Sequence, residues 1–128
     1  MRDIAPNIGI TQAVAPAVLS ATNTSAAIDL LGFESAAVVI NTGAIVSSGD
    51  FTPTLQESDT TTPGDFTDVA ADRLVGTFPA SLTADGVVKV GYIGTKRYVR
   101  TVLTKNGGTS IAAGVLVIKG HPADAPVT

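Results

Sequence analysis

Apolar and polar residues alternate with a period of two through the central part of this chain. Along residues 51–57 the aromatic and aliphatic positions fall on one side and the threonines on the other. Residues 87–92 and 111–118 are further runs rich in valine and isoleucine, and residues 98–104 add a tyrosine to such a run. These residue types favour strands, and no window keeps the 3.6-residue period of an amphipathic helix. The pattern therefore predicts an all-β chain.

Three details predict where strands lie in their sheets. Residues 36–40 are continuously apolar, which predicts a central strand buried on both faces. Residues 26–31 predict a short apolar strand. Pro53 has no N–H to donate, so it predicts that residues 51–57 form an edge strand or begin a strand at that point.

Turn-forming residues separate these runs. Asn106-Gly107-Gly108 lies between two strong strands and predicts a hairpin turn that requires positive φ. Residues 41–43, 47–50 and 58–65 predict turns or loops, and residues 70–74 predict one helical turn. About six to eight short strands at spacings of roughly 10–15 residues predict a β-sandwich or jelly roll.

The two ends of the chain lack the alternation. Residues 1–16 contain two prolines and a glycine and predict an extended N-terminal arm. Residues 120–128 also contain two prolines and predict a C-terminal arm, so the sandwich domain is expected over residues 17–119. The apolar run at residues 13–21 is short and interrupted by Pro16. We therefore expect neither a signal peptide nor a membrane-spanning segment.

Composition adds that the surface is poor in charge. Charged residues make up 15% of the 128 residues, whereas ordinary globular domains carry about 25%. Such a surface suits close packing against a partner, although a soluble monomer with a threonine-rich sheet face has the same composition. The net charge of −3 gives no reason to expect nucleic-acid binding. The absence of cysteine excludes disulfides and favours assembly in a reducing cytosol.

The charges are unevenly distributed along the chain. Nine acidic residues and one base precede Arg73, whereas seven bases and two acidic residues lie from Arg73 onward. This asymmetry can reflect head-to-tail contact between copies, or an acidic loop that meets a basic strand within one copy. The second arrangement is favoured, because the two halves of a sandwich interleave.

Candidate catalytic and metal-binding residues are few. His121 is the one histidine and lies between glycine and proline in the predicted C-terminal arm. A tail of this kind does not hold an imidazole in the fixed geometry that acid–base catalysis needs. Asp59, Asp65, Asp68 and Asp72 lack the spacing of a calcium-binding loop and are more typical of turns. We therefore expect no enzymatic activity, no cofactor and no metal.

One group of residues is a candidate contact surface. Basic residues cluster after residue 88, and two tyrosines lie among them. Tyrosine and arginine are enriched where protein interfaces gain most of their binding energy. The predicted contact residues are Tyr92, Lys96, Arg97, Tyr98, Arg100 and Lys105. The alternative is a solvated outer face of a sheet.

Three segments resemble small virion proteins of tailed bacteriophages. These are residues 90–100, VGYIGTKRYVR; residues 120–127, GHPADAPV; and LQESD at residues 55–59 followed by FTDV at residues 66–69. In those phage proteins a tryptophan often stands where this chain has Phe66. The resemblance covers roughly residues 25–127.

The resemblance implies a non-enzymatic capsid cement or decoration protein with a jelly-roll-like β-fold. Such a protein binds the major capsid protein on the outer surface of the virion and is assembled in the cytoplasm of the bacterial host. It implies a homo-oligomer, a trimer or a dimer, with no direct contact to nucleic acid or membrane. The extended arms would order along neighbouring capsid subunits on binding.

Two other functions remain open at this point. The chain has the size and charge-poor surface of a tail-tube, head–tail joining or head-fibre component. A carbohydrate-binding β-sandwich is a further alternative from a different class. Such modules stack sugars on exposed aromatic rings, and this chain has two tyrosines and no tryptophan, so this alternative is less favoured.

Overall fold

Two long stretches of the chain, residues 33–58 and 98–122, run antiparallel beside each other and form a continuous two-stranded ribbon. The computed structural model describes residues 4–122. Phe33 pairs with Pro122 at one end of the ribbon, and Ser58 pairs with Tyr98 at the other. The ribbon bends once near its middle, and this bend divides it between two sheets.

The strands, in chain order, are β1 (Gly9–Leu19), β2 (Asn23–Thr24), β3 (Ile28–Asp29), β4 (Phe33–Val46), β5 (Asp50–Ser58), β6 (Thr67–Asp68), β7 (Leu74–Val75), β8 (Val87–Tyr92), β9 (Tyr98–Gly107) and β10 (Ser110–Pro122). Single turns of 3-10 helix occur at Ala5–Asn7, Pro63–Asp65 and Ala71–Arg73. Sheet A has the order β1-β10-β4-β8-β7, and sheet B has the order β2-β9-β5-β6, with β3 also paired to β9. All these pairs are antiparallel.

The core lies between the two sheets and follows from the period of two. Every second residue of a central strand points inward, and most of these inward residues are aliphatic or aromatic. Val38 and Val117 of sheet A are buried in the same cluster as Phe51 and Leu103 of sheet B. The structure thus confirms the predicted all-β class and the sandwich architecture.

The bend of the ribbon joins the sheets through two adjacent turns, at residues 47–49 and 108–109. Asn106-Gly107-Gly108 does not make the hairpin that its sequence predicts, because β9 belongs to sheet B and β10 to sheet A. The expected positive φ is present, at +73° for Gly108. A Cβ atom on Gly108 would collide with the backbone of Ser48, and one on Gly49 with the backbone of Ser110. Glycine therefore lets the two crossing turns lie directly against each other.

The backbone nitrogen of Pro53 points away from β9, toward the other side of strand β5. The carbonyls of Phe51 and Leu55 accept hydrogen bonds of 2.9 and 3.0 Å from Leu82 and Val69, which are not in β9. Since alternate residues of a strand direct their backbone groups to the same side, the missing N–H of Pro53 also faces that way. The neighbouring strand β6 pairs only with Gln56 and Glu57. Strand β5 is therefore not the edge strand that was predicted, because β6 lies beside its end. Pro53 itself has no strand beside it on that side, so its missing N–H breaks no ladder hydrogen bond.

The structure places much of the predicted arms inside sheet A. Gly9–Leu19 is strand β1, which pairs with β10 along its length. Pro16 is accommodated because the register shifts between Val14 and Ala17, and a proline at such a bulge leaves no ladder bond unmade. At the other end β10 continues to Pro122. The remaining parts of the predicted arms, residues 1–3 and 123–128, lie outside the described residues.

The structure also tests the predictions for two short segments, residues 26–31 and 70–74. Of residues 26–31, only Ile28–Asp29 forms a strand. Residues 70–74 contain the predicted helical turn as a 3-10 turn at Ala71–Arg73. The long connection from β5 to β8 contributes Val69 and Leu82 to the core.

Candidate interaction surfaces

The outer face of sheet B, here called the polar face, carries several of the predicted contact residues. Tyr98 and Arg100 alternate along β9 with Val99 and Thr101, which are 1% exposed, so the first two point outward. The neighbouring outward positions on β5 are Thr52, Thr54 and Gln56. Lys96 and Arg97 come just before β9, and Lys105 near its end donates from Nζ to the Ser20 carbonyl at 3.0 Å.

Tyr92 differs from the other predicted contact residues because it is buried. Its side chain lies in the core at 2% exposure. The phenol donates a 2.7 Å hydrogen bond to Glu57, and the backbone N–H of Lys96 donates to the phenolic oxygen at 3.2 Å. Burial and the hydrogen bond to Glu57 both raise the pKa of Tyr92. Tyr92 therefore offers no surface to a partner, and the predicted contact surface is left with five residues.

Two ion pairs join acidic residues of the first half of the chain to bases of the second half. Arg97 donates from two nitrogens to the two carboxylate oxygens of Asp29, each at 2.9 Å. These hydrogen bonds hold the pKa of Asp29 at about 2. Lys96 donates to Asp59 at 2.8 Å, and this bond raises the pKa of Lys96. The acidic loops thus meet the basic strand within one copy, which confirms the favoured interpretation of the charge asymmetry.

Arg100 is also engaged on the polar face. Its Nε donates to Gln56 at 2.7 Å, and Gln56 donates in turn to Asp68 at 3.0 Å. The guanidinium lies 4.4 Å from the ring centre of Phe66, within the range of a cation–π contact. Lys96 and Arg97 are thus paired with carboxylates, whereas Arg100 and Lys105 are held by a neutral amide and a backbone carbonyl. The predicted contact surface is therefore ordered and only partly neutralised.

The outer face of sheet A has a different chemistry. Val38 and Ile40 of β4 and Val115 and Val117 of β10 point into the core, so the residues between them point outward. Most of those outward residues are also aliphatic. We call this surface the aliphatic face; its outward residues are Ile10, Gln12 and Val18 of β1, Ala112, Leu116 and Ile118 of β10, Ala37, Val39 and Asn41 of β4, Val87 and Lys89 of β8, and Val75 of β7.

Several side chains of the aliphatic face are exposed to solvent. Val87 is 71% exposed, Val18 69% and Leu116 39%. Beside Leu116 the face contains a hollow of about 270 Å³, where Gly114 and Gly43 have no side chains and Ala112 has a short one. Lys89 carries the one charge among the outward side chains of these strands.

The sequence contained a signal for the aliphatic face, and its interpretation was right in part: β4 is a central strand of sheet A, as predicted, but it is not buried on both faces. The continuous apolar run at residues 36–40 predicts a strand buried on both faces. In the structure Ala36, Val38 and Ile40 are buried, whereas Ala37 and Val39 are only half-buried on the outside. A run that is apolar at every position marks a strand with two apolar faces, and it does not show that the chain itself covers both.

A cleft of about 400 Å³ opens at the end of the sandwich where the ribbon begins and ends. It lies between residues 30–36 and residues 92–97, and Phe33 and Arg97 are among the residues that line it. Nearby, Ser35 and His121 share a 2.7 Å hydrogen bond between Oγ and Nδ1. His121 lies in β10, so the expectation that it sits in a tail without a scaffold is wrong.

The loop acids have partners other than a metal. Asp65 accepts a 2.7 Å hydrogen bond from Thr60, Asp59 pairs with Lys96, and Asp68 accepts from Gln56. Within residues 4–122, no group of three or more acidic or histidine side chains is placed to hold a metal ion. The same part of the chain contains no helix long and apolar enough to span a membrane.

No protein-family model and no curated protein sequence matches this chain. Among solved structures it is similar to the SPBc2 prophage-derived protein YomS, with a TM-score of 0.53 and 12% identity over 88% of this chain and 93% of that one. The infectious bursal disease virus, Gx strain, gives a TM-score of 0.45 and 18% identity over 93% of this chain and 33% of that one. PirA gives a TM-score of 0.44 and 14% identity over 94% of this chain and 99% of that one. Because the identity to YomS is 12%, this similarity shows a shared fold alone.

Proposed function

We propose that this chain is a non-enzymatic structural protein of a tailed-bacteriophage particle, which binds the major capsid protein and stabilises the capsid lattice from outside. The observation that carries the proposal is the aliphatic face of sheet A. Contiguous exposed apolar surface of this kind marks a site of protein contact. A chain that works within an assembly gains from this surface, whereas a chain that works alone would lose solubility.

The polar face, on the opposite side of the sandwich, also has the composition of a contact surface. Tyr98 is half-buried and outward-facing beside paired charges, which is the composition of an interface rim around an aromatic contact. We propose that Lys96, Arg97, Tyr98, Arg100 and Lys105 contact the capsid. The sequence resemblance to phage virion proteins points the same way, and so does the shared fold with a prophage-derived protein.

The proposed mechanism is the addition of buried area between neighbouring capsid subunits. Each contact needs only modest affinity, because many copies on one particle act together. The outward pressure of packaged DNA then has to break these contacts as well as those between the capsid subunits. Paired charges suit this role, since they keep the surface soluble and orient it without a large net charge.

The test uses expanded heads that lack this protein. Adding the purified chain should give saturable binding at hundreds of copies per head, counted by quantitative gel densitometry, and should raise the temperature at which full heads release DNA. Tyr98→Ala should weaken head binding at least about tenfold, whereas Thr104→Ala, an exposed change on the same strand, should not. Unchanged head stability would contradict the proposal, and about a dozen bound copies would indicate a joining ring instead.

A further inference from the structure

The aliphatic face of sheet A has no cover within the described chain, and its composition indicates what covers it. We infer that it packs against the same face of a second copy, about a two-fold axis that runs along the strands between β10 and β4. The pairing occurs between free copies in solution and needs no capsid. It uses the same face that supports the proposed function, but it is tested on the free chain, so the two proposals can fail separately.

Self-pairing requires a surface that is complementary to itself, and a nearly uncharged aliphatic sheet meets this condition. Two sheets that pack face to face lie about 10 Å apart and cross at about 30°. Their side chains then interdigitate, and no polar backbone group is buried because each strand already pairs within its own sheet. In such a contact an aliphatic side chain such as Leu116 is removed from water in both copies.

The one charge on the face selects the axis. An axis along the strands between β10 and β4 places β8 of one copy over β1 of the other. Lys89 then faces Gln12, because both lie in the same row of the sheet as Val39 and Leu116. The Gln12 amide oxygen can accept a hydrogen bond from the ammonium. An axis across the strands would instead bring the two Lys89 side chains together, which like charges disfavour.

The same axis also accommodates the other polar side chain near the centre. Asn41 pairs with Gly114 across β4 and β10, so in the dimer Asn41 of one copy lies over Gly114 of the other. Pro16 covers the Cβ position of Gly114, so the Asn41 side chain enters the hollow of about 270 Å³ beside it, which Ala112 and Leu116 also line. Two Asn41 side chains thus enter two symmetric hollows, which fixes the register of the pair.

The size of the face matches what a stable dimer needs. The four strands that overlap about this axis, β1, β10, β4 and β8, lie about 4.8 Å apart, and eight residues at about 3.3 Å each give a face of about 19 by 26 Å, or about 500 Å² in projection. Protruding side chains make the accessible area larger than its projection. The face therefore approaches the roughly 800 Å² per partner of a standard protein interface.

The first measurement is the mass of the purified chain by light scattering across a concentration series. A dimer of twice the 12.9 kDa chain mass is expected. Leu116→Glu should raise the dimer dissociation constant at least about 100-fold, because it buries a carboxylate among aliphatic side chains, where desolvation costs more than attraction to the nearby Lys89 of the second copy returns. Val102→Glu is the matched control, since Val102 is also a half-buried, outward aliphatic residue of a central strand, but on the polar face. It should leave the dimer unchanged.

A charge exchange tests the axis itself. Gln12→Lys should weaken the dimer by placing like charges together, and adding Lys89→Glu to the same chain should restore it by pairing opposite charges. Circular dichroism confirms that each variant is folded. A monomer at all concentrations, a trimer, an equal effect of Leu116→Glu and Val102→Glu, or failure of the second change to restore pairing would each overturn the inference.

Discussion

The hydroxyl of Tyr92 donates a 2.7 Å hydrogen bond to Oε1 of Glu57 and links the two sheets inside the sandwich. Tyr92 is the last residue of β8 in sheet A, and Glu57 lies in β5 of sheet B. Both side chains are buried. Because Lys96 also donates its backbone N–H to the phenol, this link holds the loop that leads into β9.

Tyr92→Phe should lower the free energy of unfolding by about 1–3 kcal/mol, because it leaves the buried Glu57 carboxyl without its donor. The measurement is urea unfolding followed by circular dichroism at neutral pH. Tyr98→Phe is the control, since Tyr98 points outward on the polar face, and it should change stability by about 0.5 kcal/mol or less. Equal effects of the two changes would show that the inter-sheet bond contributes little.

Acid should remove the contribution of the Asp29–Arg97 pair to stability. The pKa of Asp29 is depressed to about 2 from an ordinary value of 3.8, so folding favours its charged form. This contribution is present above about pH 4 and is lost as the pH falls toward 2. The unfolding free energies of the wild type and of Asp29→Asn should therefore converge over that interval. Arg97→Gln should give a similar profile, and parallel profiles at all pH values would contradict the assignment.

Gly108→Ala should destabilise the fold by at least about 2 kcal/mol, because it forces a side chain into positive φ and against the Ser48 backbone. Gly107→Ala provides the matched control one residue earlier. No atom lies within 4 Å of a Cβ placed there, so its effect should stay within about 1 kcal/mol. The midpoint of thermal unfolding measures both. A tolerated Gly108→Ala would mean that the two crossing turns can separate.

The same substitution should have opposite effects at two buried threonines. Oγ1 of Thr101 is buried without a hydrogen-bond partner, so Thr101→Val should raise the free energy of unfolding by about 1 kcal/mol. Oγ1 of Thr42 donates to the Thr83 carbonyl at 2.6 Å and accepts from Gly86 N–H at 2.8 Å. Thr42→Val should therefore cost about 1–3 kcal/mol. Urea unfolding that shows the same sign for both would refute this account.

The local rules of strand formation made most of the fold predictable. The period of two located β5, β8, β9 and β10, because side-chain alternation is a property of the strand itself. The pairing of strands was not predictable in this way. Whether β9 and β10 form a hairpin depends on partners distant in the sequence, and those partners draw the two strands into different sheets.

The arms and the candidate surfaces also separate into features that local sequence predicts and features that distant contacts decide. Proline and glycine near residue 16 argued against a strand, but a bulge in β1 accommodates Pro16 at the edge of sheet A. The outward direction of Tyr98 and Arg100 is a local property, because both alternate along β9 with the buried Val99. Tyr92 lies on the same side of β8 as the buried Val90 and opposite Lys89, so alternation also predicts its burial. Its hydrogen bond to Glu57, 35 residues away in the other sheet, was not predictable from the sequence.

The continuous ribbon also has a consequence for the order of events during synthesis. Residues 98–122 supply β9 and β10, which are interior strands of sheet B and sheet A, and β1, β4 and β5 pair with them and not with one another. Such long-range pairing makes folding slow. We therefore expect the nascent chain to keep β1 and most of β5 unpaired until residues 98–122 have left the ribosome, and a chain truncated before residue 98 to be prone to aggregation.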